Sequence, residues 1–447
     1  MDDRLPSAGR VLMRGLYTLL AFAAVFGLSA ASAERAAVVV TPGGEQTYRI
    51  AVQQFRDANP KLAAEFRAAL TAALEYSNVF RQIPDDAFLG PVTTAEGRAD
   101  APLDCPNWSQ IGADALVEGE IERDPAGFSI AFRVWDASRC RRLLRRRYQQ
   151  SGRDLERAAR RLADDVVEAF IGLRGVSSTE IAFVSDRGGN KEIYVMNADG
   201  SNARAATANR SINNFPSWSP DGEGIIYTSY RQQNRPLIFL SSRGKARPGR
   251  LLSRLGVERS LYRAVFSPDP NRMALVMSTG EAADLFTVAP DGGRLKRLTR
   301  SRAIDISPSF SPDGERLSFV SDRTGSPQIY LMNADGTNIR RLTFDGSYNT
   351  NPKWSPDGLW IAYETRVGGQ FDIWLIDPDG TVNVPLVTNP RSDEAPSWSP
   401  NSRKLIFSST RRGRADLYVI DRDGSSLRRL TSSAGNNTSP DWGPFPR

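Results

Sequence analysis

Residues 354–358 read Trp-Ser-Pro-Asp-Gly, and the same element stands at 218–222 and, with Phe leading, at 310–314. Phe266-Ser267-Pro268-Asp269 and Trp398-Ser399-Pro400-Asn401 are variants of it, and Trp442-Gly443-Pro444 is a clipped sixth copy. From Trp218 onward the aromatic positions lie 48, 44, 44, 44 and 44 residues apart. After each of the first five copies comes a β-rich run, such as 224–229, 316–321 or 404–409. A second run then enters an Asp-Gly pair (335–336, 379–380, 423–424), and a last short one ends at Arg-Leu-Thr (297–299, 341–343, 429–431). Pro at i+1 and Gly at i+3 suit a type I turn, and the Asp-Gly pairs supply the positive φ of tight hairpins. Four short strands repeating every ~40–50 residues predict a β-propeller, with the aromatic side chain plugging the gap between blades. The repeated Asp residues are therefore turn chemistry before they are ligand chemistry.

A mismatch at the two ends sets the blade count. The run 180–185, with its partner 192–197, has no aromatic element before it, and Trp442 has no strands after it. Joined, they make a sixth blade from one C-terminal and three N-terminal strands, which removes the open sheet edges.

Upstream of residue 175 the pattern changes. Asn59-Pro60 supplies a cap and a first-turn proline, and Leu62, Phe66, Leu70 and Leu74 follow at four-residue spacing, predicting a helix over about 60–76. Phe128, Ile130, Phe132 and Val134 alternate with polar or small residues as a half-buried strand, and 115–121 and 143–150 read as further strands. A second helix after Gly152 carries Leu155, Ala159, Leu162, Val166, Phe170 and Leu173 on one face. The expected organisation is a signal peptide (1–33), an α/β domain (34–174) and a six-bladed all-β propeller (175–447) closed by a C-terminal strand.

The signal peptide rests on three parts. Arg4, Arg10 and Arg14 are a basic start, residues 16–28 are apolar, and Ala31-Ser32-Ala33 is a cleavage signal. A helix of thirteen apolar residues would span only ~20 Å, short of a ~30 Å hydrocarbon core. The mature chain is therefore expected outside the cytoplasm. In that oxidising setting Cys105 and Cys140 are candidates for a disulfide closing a loop of ~35 residues.

Composition removes many functions. The chain of 447 residues has no histidine and two cysteines, which excludes Ser-His-Asp and Cys-His nucleophile systems, HExxH zinc helices and a cysteine zinc site. No cofactor loop is evident. The net charge of +7 belongs to residues 175–447, where 35 basic residues face 28 acidic ones. The run Arg139, Arg141, Arg142, Arg145, Arg146, Arg147 reads as a solvated strand pair or a patch meeting an anionic surface.

These features together resemble the TolB family, the periplasmic propellers of the Tol-Pal cell-envelope system. The resemblance covers the signal peptide, the α/β domain, the six repeats and the Trp-Gly-Pro ending. Its more discriminating residues are Leu74-Glu75-Tyr76-Ser77-Asn78-Val79-Phe80 and the segment 108–119, Trp-Ser-Gln-Ile-Gly-Ala-Asp-Ala-Leu-Val-Glu-Gly. The family implies a scaffold that binds the peptidoglycan-associated lipoprotein Pal through propeller loops at the channel mouth. It also implies that the mature N-terminal segment reaches TolA during outer-membrane constriction at division. Carried onto this chain, the Pal-facing residues are Arg210, Arg259, Ser260, Arg263, Arg302, Ile306, Tyr348 and Arg391, with Asn213, Tyr262, Asp305, Asn349 and Asp393 beside them. The TolA-reaching segment is 34–42, where Glu34 precedes the apolar run Val38-Val39-Val40, suited to adding a strand to a partner's sheet edge. The chain departs from the family in its Arg-rich loops and in having no histidine where the family can use one. Two other readings compete with this non-enzymatic one. One is an exported propeller hydrolase or lyase working with channel carboxylates. The other is a glycan- or cation-binding propeller using acids such as Asp305 and Asp441.

Overall fold

The computed structural model describes residues 47–446 apart from 58, 90–104, 125–126, 152–153, 243–248, 253–254, 256–258, 279, 281 and 433–434. The expected signal peptide and the segment 34–42, with Glu34, Val38, Val39 and Val40, lie outside the described residues.

The first part is a five-stranded sheet backed by helices. Strands β1 (Tyr48–Val52), β2 (Phe80–Gln82), β3 (Ala115–Asp124), β4 (Gly127–Asp136) and β5 (Arg141–Ser151) lie in the order β2-β1-β3-β4-β5. β1 runs parallel to β2 and β3, and β3, β4 and β5 form an antiparallel meander. Helix α1 (Pro60–Tyr76) starts where the sequence predicts, because the Asn59 side chain accepts the Lys61 and Leu62 amides and Pro60 has no amide to satisfy. Helix α2 (Cys105–Gln110) is short, and its Cys105 is disulfide-bonded to Cys140 with the Cα atoms 5.6 Å apart. Helix α3 (Leu155–Ile171) is capped by Asp154 and stops at Gly172, whose φ of 71° turns the chain out of the helix. Leu173, expected on its apolar face, therefore falls beyond the helix and is exposed. Phe66, Leu70, Leu162 and Val166 meet Val117, Ile130 and Val134 in one core.

The rest of the chain is a ring of six four-stranded blades. Blade 1 takes its inner strand, Asn437–Trp442, from the C-terminus and its other three, Glu180–Ser185, Glu192–Asn197 and Arg204–Ala205, from the start of the propeller. The inner strands of blades 2 to 6 are Asn213–Trp218, Leu261–Phe266, Asp305–Phe310, Asn349–Trp354 and Asp393–Trp398. Blades are stitched at the repeated aromatic: the Trp442 amide donates to Ser397 Oγ (2.9 Å), Trp354 to Ser309 Oγ (3.1 Å) and Trp218 to Asp441 Oδ2 (2.9 Å).

Each repeated motif has a local cause. In Ser219-Pro220-Asp221-Gly222 the Gly222 amide donates to Ser219 O, the Gly224 amide to Ser219 Oγ and the Glu223 amide to Asp221 Oδ1. The Asp side chain thus closes its own turn. In Arg-Leu-Thr the buried threonine joins the third strand: Leu285, Ile329 and Leu417 donate their amides to Thr299, Thr343 and Thr431 at 2.9–3.0 Å.

Candidate functional site

The ring has two unlike faces. The Ser-Pro-Asp-Gly and Asp-Gly turns share one, and the α/β domain sits on it. Tyr76 donates its hydroxyl to Ala198 O (2.9 Å), Asn78 Nδ2 donates to Asp421 Oδ2 (2.7 Å), and Arg160 reaches Asp199 (3.2 Å). The other face carries the hairpins between second and third strands and the loops leading into each inner strand. No contact with the α/β domain is found there among the described residues, so this is the open mouth.

Among the described residues five large apolar side chains stand exposed at the mouth: Ile212 (48%), Ile304 (45%), Phe344 (72%), Tyr348 (37%) and Val367 (42%). Ile212, Ile304 and Tyr348 occupy one repeated position, immediately before an inner strand. The chain there is pinned by its backbone, since Ile212 O accepts from Tyr230 N and Tyr348 O from Arg366 N. The Tyr348 ring also lies edge-on to Phe371 at 5.6 Å. Exposed arginines surround them. Arg210 holds its loop by donating its amide to Glu192 Oε1 (2.8 Å), and Arg391 by donating its amide to Asn389 Oδ1 (2.8 Å). Arg302 is exposed, and exposed Arg259 lies 3.5 Å from Met277 Sδ. Aromatic and aliphatic anchors interleaved with arginine are the usual composition of a protein-binding surface.

Several expected mouth residues lie elsewhere. Asn213, Asp305, Asn349 and Asp393 are the buried first residues of inner strands; the two asparagines bond to the preceding blade, through Glu192 and Gln328, and the two aspartates hold arginines of their own blades. Asp305 and Asp393 take the guanidiniums of Arg323 (3.0 Å) and Arg411 (2.9 Å), while Asn349 Nδ2 donates to Gln328 Oε1 (2.8 Å). Ser260 and Ile306 are half-buried, Ile306 against the cores of two blades. Arg263 lies in the channel: it stacks over Phe215 at 4.5 Å and donates to Ser307 Oγ at 2.7 Å. Loss of water lowers its pKa to about 10. Asp305 and Asp441, considered for a cation, each have a protein partner, Arg323 and Lys353 (3.3 Å). Among the described residues no three acidic or sulfur groups converge to hold a metal.

The cause of these displacements is a bulge that recurs in every blade. The third residue of each inner strand has positive φ: Phe215 (53°), Arg263 (43°), Ser307 (57°), Asn351 (49°), Ala395 (55°) and Ser439 (48°). The strand register breaks there in all six. The sequence signal is a proline two residues before the aromatic (Pro216, Pro308, Pro352, Pro396, Pro440), a residue that a sheet tolerates only at an edge or a bulge. Below the bulges the channel is plugged. Lys353 pairs across it with Asp441, and buried Glu364 accepts the Ala395 amide (2.6 Å) and Asn351 Nδ2. Burial pushes Glu364 up to about 7. A hollow of about 30 Å³ remains beside them, bordered by Phe215, Arg263, Asn351, Lys353 and Ala395.

Comparison with known proteins agrees with this architecture. A model of the TolB β-propeller domain matches residues 167–446, and one of the TolB amino-terminal domain matches residues 36–143. The Tol-Pal system protein TolB of Anaeromyxobacter dehalogenans (strain 2CP-C) is 35% identical over 67% of this chain and 68% of its own length. That of Syntrophotalea carbinolica is 38% identical over 48% of this chain and 50% of its own. The crystal structure of TolB from Acinetobacter baumannii superposes with a TM-score of 0.75 at 25% identity, covering 90% of this chain and 97% of that one. With both domain models matched in order, and the six blades and α/β sheet in place, the chain belongs to the TolB family.

Proposed function

We propose that this chain is a non-enzymatic periplasmic binding scaffold of the Tol-Pal system, whose open propeller mouth receives a Pal-like peptidoglycan-associated lipoprotein. The observation that carries the reading is the set of exposed anchors Ile212, Ile304, Phe344 and Tyr348, ringed by arginine on the face away from the α/β domain. The channel supports binding over turnover, since its carboxylates are engaged by Lys353, Asn351 and the Ala395 amide around a hollow too small for a sugar or peptide. The segment with Glu34 and Val38-Val39-Val40 would reach a TolA-like inner-membrane protein, joining the two envelope layers that constrict at division. Among the described residues no helix is long and apolar enough to cross a membrane. Pulldown from envelope extract tests the reading. Recovery of an OmpA-like peptidoglycan-binding lipoprotein supports it, and its absence under mild solubilisation counts against it.

A further inference from the structure

The apolar anchors at the propeller mouth are each set beside an arginine. Arg210 lies two residues before Ile212 and Arg302 two residues before Ile304, in the loops leading into the inner strands of blades 2 and 4. Tyr348 is joined to Arg366 by the bond from the Arg366 amide to the Tyr348 carbonyl (2.9 Å). The Arg341 guanidinium stacks over the Phe344 ring, 5.0 Å from its centre, and is held there by donating to Thr343 O (2.6 Å). The Ile304 backbone is fixed in turn, because its amide donates to Asp322 Oδ1 at 2.8 Å. The pairing of an apolar side chain with an arginine thus recurs before the inner strands of blades 2, 4 and 5. It stands on backbone already held in place, so a partner has little to order by binding there.

Charge at this face is one-sided. Some of its arginines are engaged inside the fold: Arg323 pairs with Asp305 (3.0 Å), Arg411 with Asp393 (2.9 Å) and Arg414 with Asp416 (3.8 Å). Arg210, Arg302, Arg366 and Arg391 are exposed and form no ion pair among the described residues. The exposed carboxylates at the mouth, among the described residues, are Asp345 and Glu394. Half-buried Asp186 and Asp322 are occupied by the amides of Asn436 and Ile304. Such cations repel one another in the free chain and set up a positive potential that speeds the approach of an anionic partner. A guanidinium beside an apolar side chain matches a carboxylate beside an apolar side chain, since the fork takes both oxygens while the neighbouring carbon surface is buried. Ile212, Ile304 and Tyr348 keep more than half of their surface within the fold. That suits the matched relief of a protein better than insertion ~5–10 Å into lipid headgroups.

Resting on the mouth as the partner surface, we infer that the protein received there docks through an acidic face. That face sets a carboxylate beside each apolar side chain that meets Ile212, Ile304, Phe344 or Tyr348. The test is stopped-flow association of the full chain with the purified Pal-like lipoprotein over a series of salt concentrations. The association rate should fall about tenfold from low to physiological salt. Arg302→Gln with Arg366→Gln should lower the low-salt rate about fivefold and flatten the salt dependence, with the thermal midpoint unchanged. Lys61→Gln with Arg157→Gln removes the same net charge from exposed positions of the α/β domain and should change neither. Association that is saturable but indifferent to salt and to the mouth arginines would overturn the inference and leave the mouth standing as the partner surface. A lipoprotein that does not bind at all would overturn both. Sedimentation with phosphatidylglycerol vesicles, abolished by the same two mouth substitutions while lipoprotein association is unchanged, would assign the arginines to a membrane surface and likewise overturn the inference.

Discussion

The indole of Trp442 donates its N–H to the hydroxyl of Thr179 at 2.8 Å, joining residues 263 positions apart. Thr179 leads into the first propeller strand and Trp442 ends the last, so this bond and the Asn437–Ser185 pairing close the ring. Truncation of Trp442 to Ala would leave a cavity where the buried indole packs on Ile181 and Phe183. The expected cost is about 3–5 kcal/mol, read as a lowered thermal midpoint. Deleting residues 437–447 would expose Glu180–Ser185 as a bare edge, and size-exclusion chromatography should then show self-association. A monomeric deletion variant with an unchanged midpoint would contradict the closure.

Asp372 is a carboxylate whose cation has been replaced. In blades 3 and 6 the equivalent Asp284 and Asp416 receive Arg297 (2.6 Å) and Arg429 (2.7 Å). Those arginines pair in register with Phe286 and Tyr418, and the matching partner of Trp374 is Pro385. Asp372 is buried, its Oδ1 finds no hydrogen-bond partner, and burial raises its pKa to about 6. A carboxyl raised from ~3.9 when unfolded favours the folded state only while protonated, so its contribution is lost as pH climbs from about 4 through 6. Asp372→Asn should therefore stabilise the chain by about 1–2 kcal/mol at pH 7.5 and by almost nothing at pH 4. Denaturant titration at the two pH values reads the difference; equal effects at both would remove this account.

Tyr76 couples the two domains. Its hydroxyl donates to Ala198 O from a buried position, with Lys404 and Arg428 about 5.5 Å from its ring. Tyr76→Phe would leave that carbonyl unpaired, at an expected cost of about 1–2 kcal/mol. Calorimetry should show the unfolding transition broadening or splitting as the α/β domain and propeller uncouple. A single sharp transition at the original temperature would mean the bond contributes nothing to their coupling.

The disulfide Cys105–Cys140 ties α2 to the turn between β4 and β5. Replacing both cysteines with Ser should cost about 2–4 kcal/mol through the freed 35-residue loop. Because the bond lies wholly in the α/β domain, the loss should appear in that domain's transition and spare the propeller's.

The architecture was legible because each repeat announces its own turns: the Ser-Pro-Asp-Gly spacing marks six blades, and Asn59-Pro60 marks the start of α1. Leu173 was misplaced although Gly172, which ends the helix, was visible beside it. The site was harder to read. Arg263, Asp305 and Asp393 look like loop residues when strands are counted without bulges; a proline two residues before the aromatic was the available sign for Asp305 and Asp393, but Arg263's strand has Ala264 at that place. The exposed anchors Ile212, Ile304 and Phe344 carry no polar motif, so only the fold separates them from core residues. Pro385 breaks the Arg-Leu-Thr pattern in plain sight, yet its consequence for Asp372 needs the strand register.

The mouth as the partner surface is tested most directly by calorimetric titration of the purified chain with the Pal-like lipoprotein from the same cells. Ile304→Asp and Tyr348→Ala should each weaken binding at least tenfold without lowering the thermal midpoint. Ile339→Asp and Leu427→Asp, equally exposed apolar positions on the opposite face, should leave it intact. Binding that survives the mouth substitutions, or fails with those on the far face, would contradict the account.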